Sequence, residues 1–157
     1  MRLLDTVLAQ GEAITALRRD IHRHPELCFQ EQRTSDLIAA KLTEWGIPVI
    51  RGLGKTGVVG IVQNGSSPRA VGLRADIDAL PMTEKNTFAH ASSIPGRMHA
   101  CGHDGHTAML MAAVGLALAE GRLGTGRAGV LSPGAAFGPE AMPVLADAGV
   151  TWTLEND

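Results

Sequence analysis

An α/β domain is what this sequence predicts, on three observations: two amphipathic stretches at helical spacing come first, two short β-branched runs follow, and a long apolar stretch starts directly after a histidine-rich segment. At 157 residues the chain suffices for one domain with a sizeable core, and is short for two. Aromatic residues make up 3% and tyrosine is absent, so the core must be built from Leu, Val, Ile, Ala and Met.

The first helix is expected from Asp5 to about Arg23, where Val7, Leu8, Ile14, Leu17 and Ile21 recur at helical intervals and Arg18, Arg19 and Asp20 supply a polar face. Pro25 stops it, because proline lacks an amide donor and restricts the residue before it. A second helix is expected from about Gln30 to Trp45, with Leu37, Ile38, Leu42 and Trp45 as its stripe and Gly46 and Pro48 as its stop. Val58–Val62 and Ala70–Arg74 are bounded by turn formers, and Asn64-Gly65-Ser66-Ser67-Pro68 between them predicts a hairpin. Residues 81–95 are polar and irregular, as in a loop that carries function. A third helix, from about Gly105 to Ala119, is apolar on nearly every side. Residues 1–120 are therefore taken as the folded part of the chain. Residues 121–157, rich in Gly, Ala and Pro, form a tail without assigned structure.

The formal charge of -2, from 14 basic and 16 acidic residues, offers no footprint for nucleic acid or an anionic membrane surface. A small-molecule partner is the expectation. Charge within the first five residues leaves no room for a secretory leader, and no apolar run approaches the roughly 20 residues that span a bilayer. The expected compartment is the cytoplasm, where Cys28 and Cys101 would pack or bind metal rather than pair.

Three clusters could carry chemistry. In His99-Ala100-Cys101-Gly102-His103-Asp104-Gly105-His106, a thiol and an imidazole two positions apart can project to one side of an extended loop and share a divalent ion. The blander reading is a buried cysteine beside surface histidines. In Arg74-Ala75-Asp76-Ile77-Asp78, at the end of a predicted strand, Asp76 and Asp78 share a face and could orient metal ligands or simply open a solvated turn. In Asp20-Ile21-His22-Arg23-His24-Pro25-Glu26-Leu27, the two histidines are read as capping carbonyls or facing solvent, not as ligands. Cys28 is read as a small core residue and His90 as solvated. A cysteine nucleophile at Cys101 is the competing enzymatic reading, but four further polar groups around it exceed what a dyad needs.

In order and spacing, the 20–27 segment, Gly72-Leu73-Arg74-Ala75-Asp76-Ile77-Asp78-Ala79-Leu80-Pro81, Asn86-Thr87-Phe88 and Met98-His99-Ala100-Cys101-Gly102-His103-Asp104-Gly105-His106-Thr107 resemble the M20 peptidase family, and within it the amidohydrolase branch that includes hippurate and auxin-conjugate hydrolases. The resemblance covers about Leu17 to Ala119. It implies a three-layer αβα catalytic domain of the zinc-peptidase type and a two-metal site for Zn, Mn or Co that hydrolyses N-acyl amino acids. It further implies that Cys101 is a thiolate shared by both ions, His103 a terminal metal ligand and Asp78 a group that orients it. Asp76 stands where other branches place a metal-binding histidine.

The pattern is then lost. Where the family has a strand running into Pro-Ala-Glu-Glu-Gly, this chain has Val130-Leu131-Ser132-Pro133-Gly134-Ala135-Ala136-Phe137-Gly138, and no histidine follows His106. The general-base glutamate is missing, and Glu140 and Glu155 are read as solvated. The lid and dimerisation domain is expected to be absent and the catalytic domain incomplete, as for a product truncated by a frameshift near Gly124. Uncovered sheet would then favour self-association. The alternative function is a non-catalytic remnant that binds metal or associates.

Overall fold

A computed structural model describes Asp5 and residues 8–66, 70–119 and 126–132. Helix α1 spans Gly11–Arg23 and α2 spans Gln32–Glu44. The strands are β1 (Val49–Leu53), β2 (Gly57–Asn64) and β3 (Ala70–Arg74). Helix α3 (His103–Ala119) and strand β4 (Gly126–Ser132) complete the set. This is the mixed α/β architecture that the sequence predicts.

Both early helices stop where proline and glycine require it. Helix α1 ends before the buried Pro25, with the amide of His24 donating to the Ile21 carbonyl. Helix α2 ends at Trp45 and Gly46, whose φ of 73° only glycine adopts freely. At its start Glu26 acts as a distant cap. Its Oε1 accepts from the Arg33 amide, and its Oε2 from the amide and hydroxyl of Thr34.

The four strands lie in the order β1-β2-β4-β3. Strand β2 pairs antiparallel with both β1 and β4, whereas β3 runs parallel to β4. The hairpin expected between Val58–Val62 and Ala70–Arg74 is therefore not formed. The edge of β2 that it would have used is taken by β4, from Val58↔Ser132 to Asn64↔Gly126. The hairpin that does form joins β2 to β1, a strand the sequence reading passed over. Its turn is shaped by positive φ at Gly52, Gly54 and Lys55.

Strand β4 lies in the segment left without assigned structure, and its sequence, Gly126-Arg127-Ala128-Gly129-Val130-Leu131-Ser132, shows little alternation. Its pairing with β3 makes β3-α3-β4 a parallel unit with a helical crossover, the connection that parallel strands demand.

The main core gathers Ile38, Ala39 and Leu42 of α2, Val58 and Val62 of β2, Met111 and Val114 of α3, and Ile47 and Ile77 from connections. Leu17 of α1 and Trp45 pack against it. Contact between α2 and β2 is close at Gly60, where an added Cβ would lie 3.1 Å from both Ile47 Cγ2 and Leu42 Cδ1. Helix α3 is not covered on all sides: Ala108 and Met111 are buried, but Met109 is 62% exposed.

Candidate metal and hydrolase site

Two chain reversals bring the three polar clusters together. Segment 75–102, which runs from β3 to α3, is irregular but tied back to the end of α1. The Ala79 amide donates to the Glu26 carbonyl at 2.7 Å and the Ser93 amide to the Arg23 carbonyl at 2.8 Å, while Leu80 and Met98 exchange two backbone bonds. The segment then turns through Gly102, at φ 88°, directly into the first turn of α3. A side chain at position 102 would be strained in that left-handed conformation.

His103 begins the helix. Its Nδ1 donates to Asp78 Oδ1 at 2.9 Å and lies 3.0 Å from the Asp78 carbonyl oxygen. A carboxylate facing Nδ1 fixes the proton there and leaves Nε2 as the lone-pair nitrogen, the arrangement in which histidine serves a metal. Cys101 is exposed, against the reading of a buried thiol. Asp76 is held by an ion pair with Arg74, and its carbonyl accepts from the Thr107 hydroxyl at 3.1 Å.

The Asp20–Leu27 cluster corrects the sequence reading. His24 does cap a carbonyl, donating from Nδ1 to Asp20 O at 2.8 Å. His22 does neither of the things expected of it: it is buried, with Nδ1 2.9 Å from Asp104 Oδ2 and Nε2 3.1 Å from Glu84 Oε1. The available signal was its place on α1, four residues after Arg18 and beside the Ile14, Leu17 and Ile21 stripe. Arg18 indeed reaches the same Asp104 oxygen, at 3.1 Å. Nothing in the polar stretch around Glu84 singled that residue out. His90 is half-buried, its ring stacked on Phe88 with centroids 4.1 Å apart.

Electrostatics follow from this burial. Desolvation pushes the Asp104 carboxyl up, but the His22 hydrogen bond, the Gly105 amide and the charges of His99 and His22 outweigh it and hold Asp104 below the ordinary carboxylate value. Glu84 is lowered in the same way: burial opposes, and the Ser92 amide, the Asn86 amide group and His22 prevail. His99 goes the other way for a base. Burial, aided by the neighbouring His22 and His103, lowers it to about 4 against the pull of Asp104 and Asp78, so its imidazole is neutral near pH 7. Both ring nitrogens of His99 and Oδ1 of Asp104 are buried without a hydrogen-bond partner among the described residues.

The donor chemistry suits a divalent ion in part. A thiol and an imidazole oriented by a carboxylate are the ligand types zinc and its neighbours accept. Among the described residues no three His, Cys, Asp or Glu side chains group into a cage. Segment 133–138, Glu140 and Glu155 lie outside those residues.

Residues 72–131 match peptidase family M20/M25/M40. The chain is 47% identical over 114 residues to a hippurate hydrolase of Campylobacter jejuni, an alignment covering 72% of this chain and 30% of that protein. It is 46% identical over 110 residues to an N-acyl-L-amino acid amidohydrolase of Geobacillus stearothermophilus, covering 70% and 29%. Its fold is similar to that of the YXEP protein of Bacillus subtilis, a dinuclear metal binding peptidase from the M20 family. The TM-score is 0.77 and the identity 34%, over 90% of this chain and 40% of that one. These matches span about 30% of the length of the two curated relatives.

Proposed function

Starting from the premise that this chain belongs to peptidase family M20/M25/M40 over the segment it shares with these relatives, we propose that it is a metal-dependent hydrolase of the amide bond in N-acyl amino acids of the hippurate type. The observation that carries this reading is the Asp78 Oδ1 to His103 Nδ1 contact of 2.9 Å, next to an exposed Cys101 at the start of α3.

His103 Nε2 and the Cys101 thiolate are the groups that would hold a divalent ion, Zn, Mn or Co. Asp78 contributes by keeping the proton on Nδ1, which both aims the ring and raises the basicity of Nε2. When bound, such ions supply a water of lowered pKa and polarise the scissile carbonyl. The neutral His99, two residues before Cys101 in the chain, adds no positive charge that would oppose a cation. The substrate is a small acylated amino acid, consistent with the named activities of the relatives.

The test uses the 157-residue chain titrated with Co(II), Mn(II) or Zn(II) and then given hippurate, with released glycine measured. Metal uptake and glycine release in the wild-type chain, both lost in Cys101→Ala, are the expected results. Asp78→Asn keeps a side chain of the same shape but weakens the pull on the Nδ1 proton, and should lower metal affinity by about 10-fold or more. Metal uptake unaffected by either substitution would refute the assignment. Stoichiometric uptake without glycine release would favour a binding module over an enzyme.

A further inference from the structure

His22 is used by nothing in the proposed chemistry, yet it is one of the most constrained side chains in the molecule. Both ring nitrogens face carboxylate oxygens: Asp104 Oδ2 at 2.9 Å and Glu84 Oε1 at 3.1 Å. The side chains of His22, Glu84 and Asp104 are 8%, 3% and 0% exposed. With a carboxylate oxygen within hydrogen-bond distance of each ring nitrogen, the ring cross-links two buried acids.

The positions of those acids in the chain matter more than the pair energies. Glu84 lies within the irregular stretch 75–102 and Asp104 in the first turn of α3 that follows it, with Cys101 between them. We propose that His22 is a positioning residue which clamps the two ends of segment 84–104 and thereby holds Cys101 beside His103. This rests on the reading of Cys101 and His103 as the metal-holding pair.

The physical case is one of competing terms. An irregular segment has few internal backbone bonds to offset its ordering entropy, so its geometry must be imposed from outside. Backbone ties run from Ser93 to Arg23 within the segment and from Ala79 to Glu26 ahead of it. Among the described residues, His22 is the side chain that joins Glu84 to Asp104. Without it, the two acids lose their shared partner: Glu84 keeps only the local donors Asn86 and Ser92, and Asp104 keeps Arg18, so nothing ties residue 84 to residue 104 and opening of the segment to water is favoured. Arg18, 55% exposed, still reaches Asp104 but forms no hydrogen bond or ion pair with Glu84 among the described residues, so it cannot replace the clamp.

The test compares His22→Ala, His22→Asn, Glu84→Ala and Glu84→Gln in the whole chain, with two readouts. The first is amide hydrogen exchange across residues 84–104 without metal. The second is Co(II) titration followed by the near-ultraviolet thiolate-to-cobalt absorption. His22→Ala and Glu84→Ala should speed exchange in this segment and weaken cobalt binding by about 10- to 100-fold. Glu84→Gln retains an oxygen that accepts from Nε2, at the loss of an acceptor for the Ser92 amide, and should stay closer to wild type than Glu84→Ala in both. His22→Asn can serve Asp104 but falls short of Glu84, and should resemble Glu84→Ala.

A folded His22→Ala chain with unchanged exchange and unchanged cobalt affinity would overturn the clamp. Should that variant fail to fold, the Glu84 pair decides: equal exchange in Glu84→Ala and Glu84→Gln overturns the proposal, and faster exchange in the alanine variant alone supports it. A wild-type chain that shows no cobalt absorption defeats the metal reading, and the exchange experiment then still judges whether His22 holds the segment.

Discussion

At the scale of single residues, His99 makes the sharpest demand on conditions. It is 3% exposed, and its ring centroid lies 6.2 Å from that of His22. Its ordinary value of 6.5 falls to about 4 in the fold, chiefly through burial. Between those two pH values the unfolded chain takes up a proton that the native state refuses. Stability is therefore fully present above pH 6.5 and is lost as the pH falls toward 4, by about 3 kcal/mol for a shift of this size. Asp104 and Glu84, both lowered, withdraw further stability at still lower pH. Thermal melts of the metal-free protein should show Tm dropping steeply from pH 7 to pH 4.5, with a shallower slope in His99→Gln. An imidazole resonance of His99 titrating near 6.5 would contradict the assignment.

At the scale of elements, α2 packs closely on β2. Gly60 sits under Leu42 and Ile47 with no room for a further carbon without displacement of those side chains. Gly60→Val should cost about 1–3 kcal/mol through overpacking, read as a lower denaturant midpoint with an unchanged slope. Glu26, which receives three donors from the first turn of α2, offers an independent probe. Its replacement by alanine should cost about 1 kcal/mol, the scale of a lost helix cap, and a midpoint equal to wild type would show that water substitutes for it. The spacing of apolar residues made α2 legible, whereas its cap lay in the segment whose histidines drew attention, and Glu26 was passed over. A carboxylate that caps from outside the helix, before Phe29 at φ 63°, leaves no periodic trace.

At the scale of the whole molecule, strand β3 stands at the end of the described sheet, paired only with β4 among the described residues. Val71 is 61% and Leu73 40% exposed, and an open edge with apolar side chains is a template for another chain. Sedimentation at increasing concentration should reveal self-association of this 157-residue chain, and Val71→Lys should suppress it. A monomer at every concentration, with or without the lysine, would remove the edge as a site of association.

Sequence alone determined the identity of the three helices, the β character of 58–62 and 70–74, and the family likeness, because periodicity and motif order are local properties of the chain. It also singled out Asp78, Cys101 and His103. Only the tertiary structure decided that β4 inserts between β2 and β3, since which edge a strand occupies depends on every strand competing for that edge. It likewise decided that His22 is buried between two acids, because burial of an imidazole depends on partners that lie 62 and 82 positions away. Neighbouring residues set the backbone conformation; the company a polar side chain keeps is set by whatever distant segment closes over it.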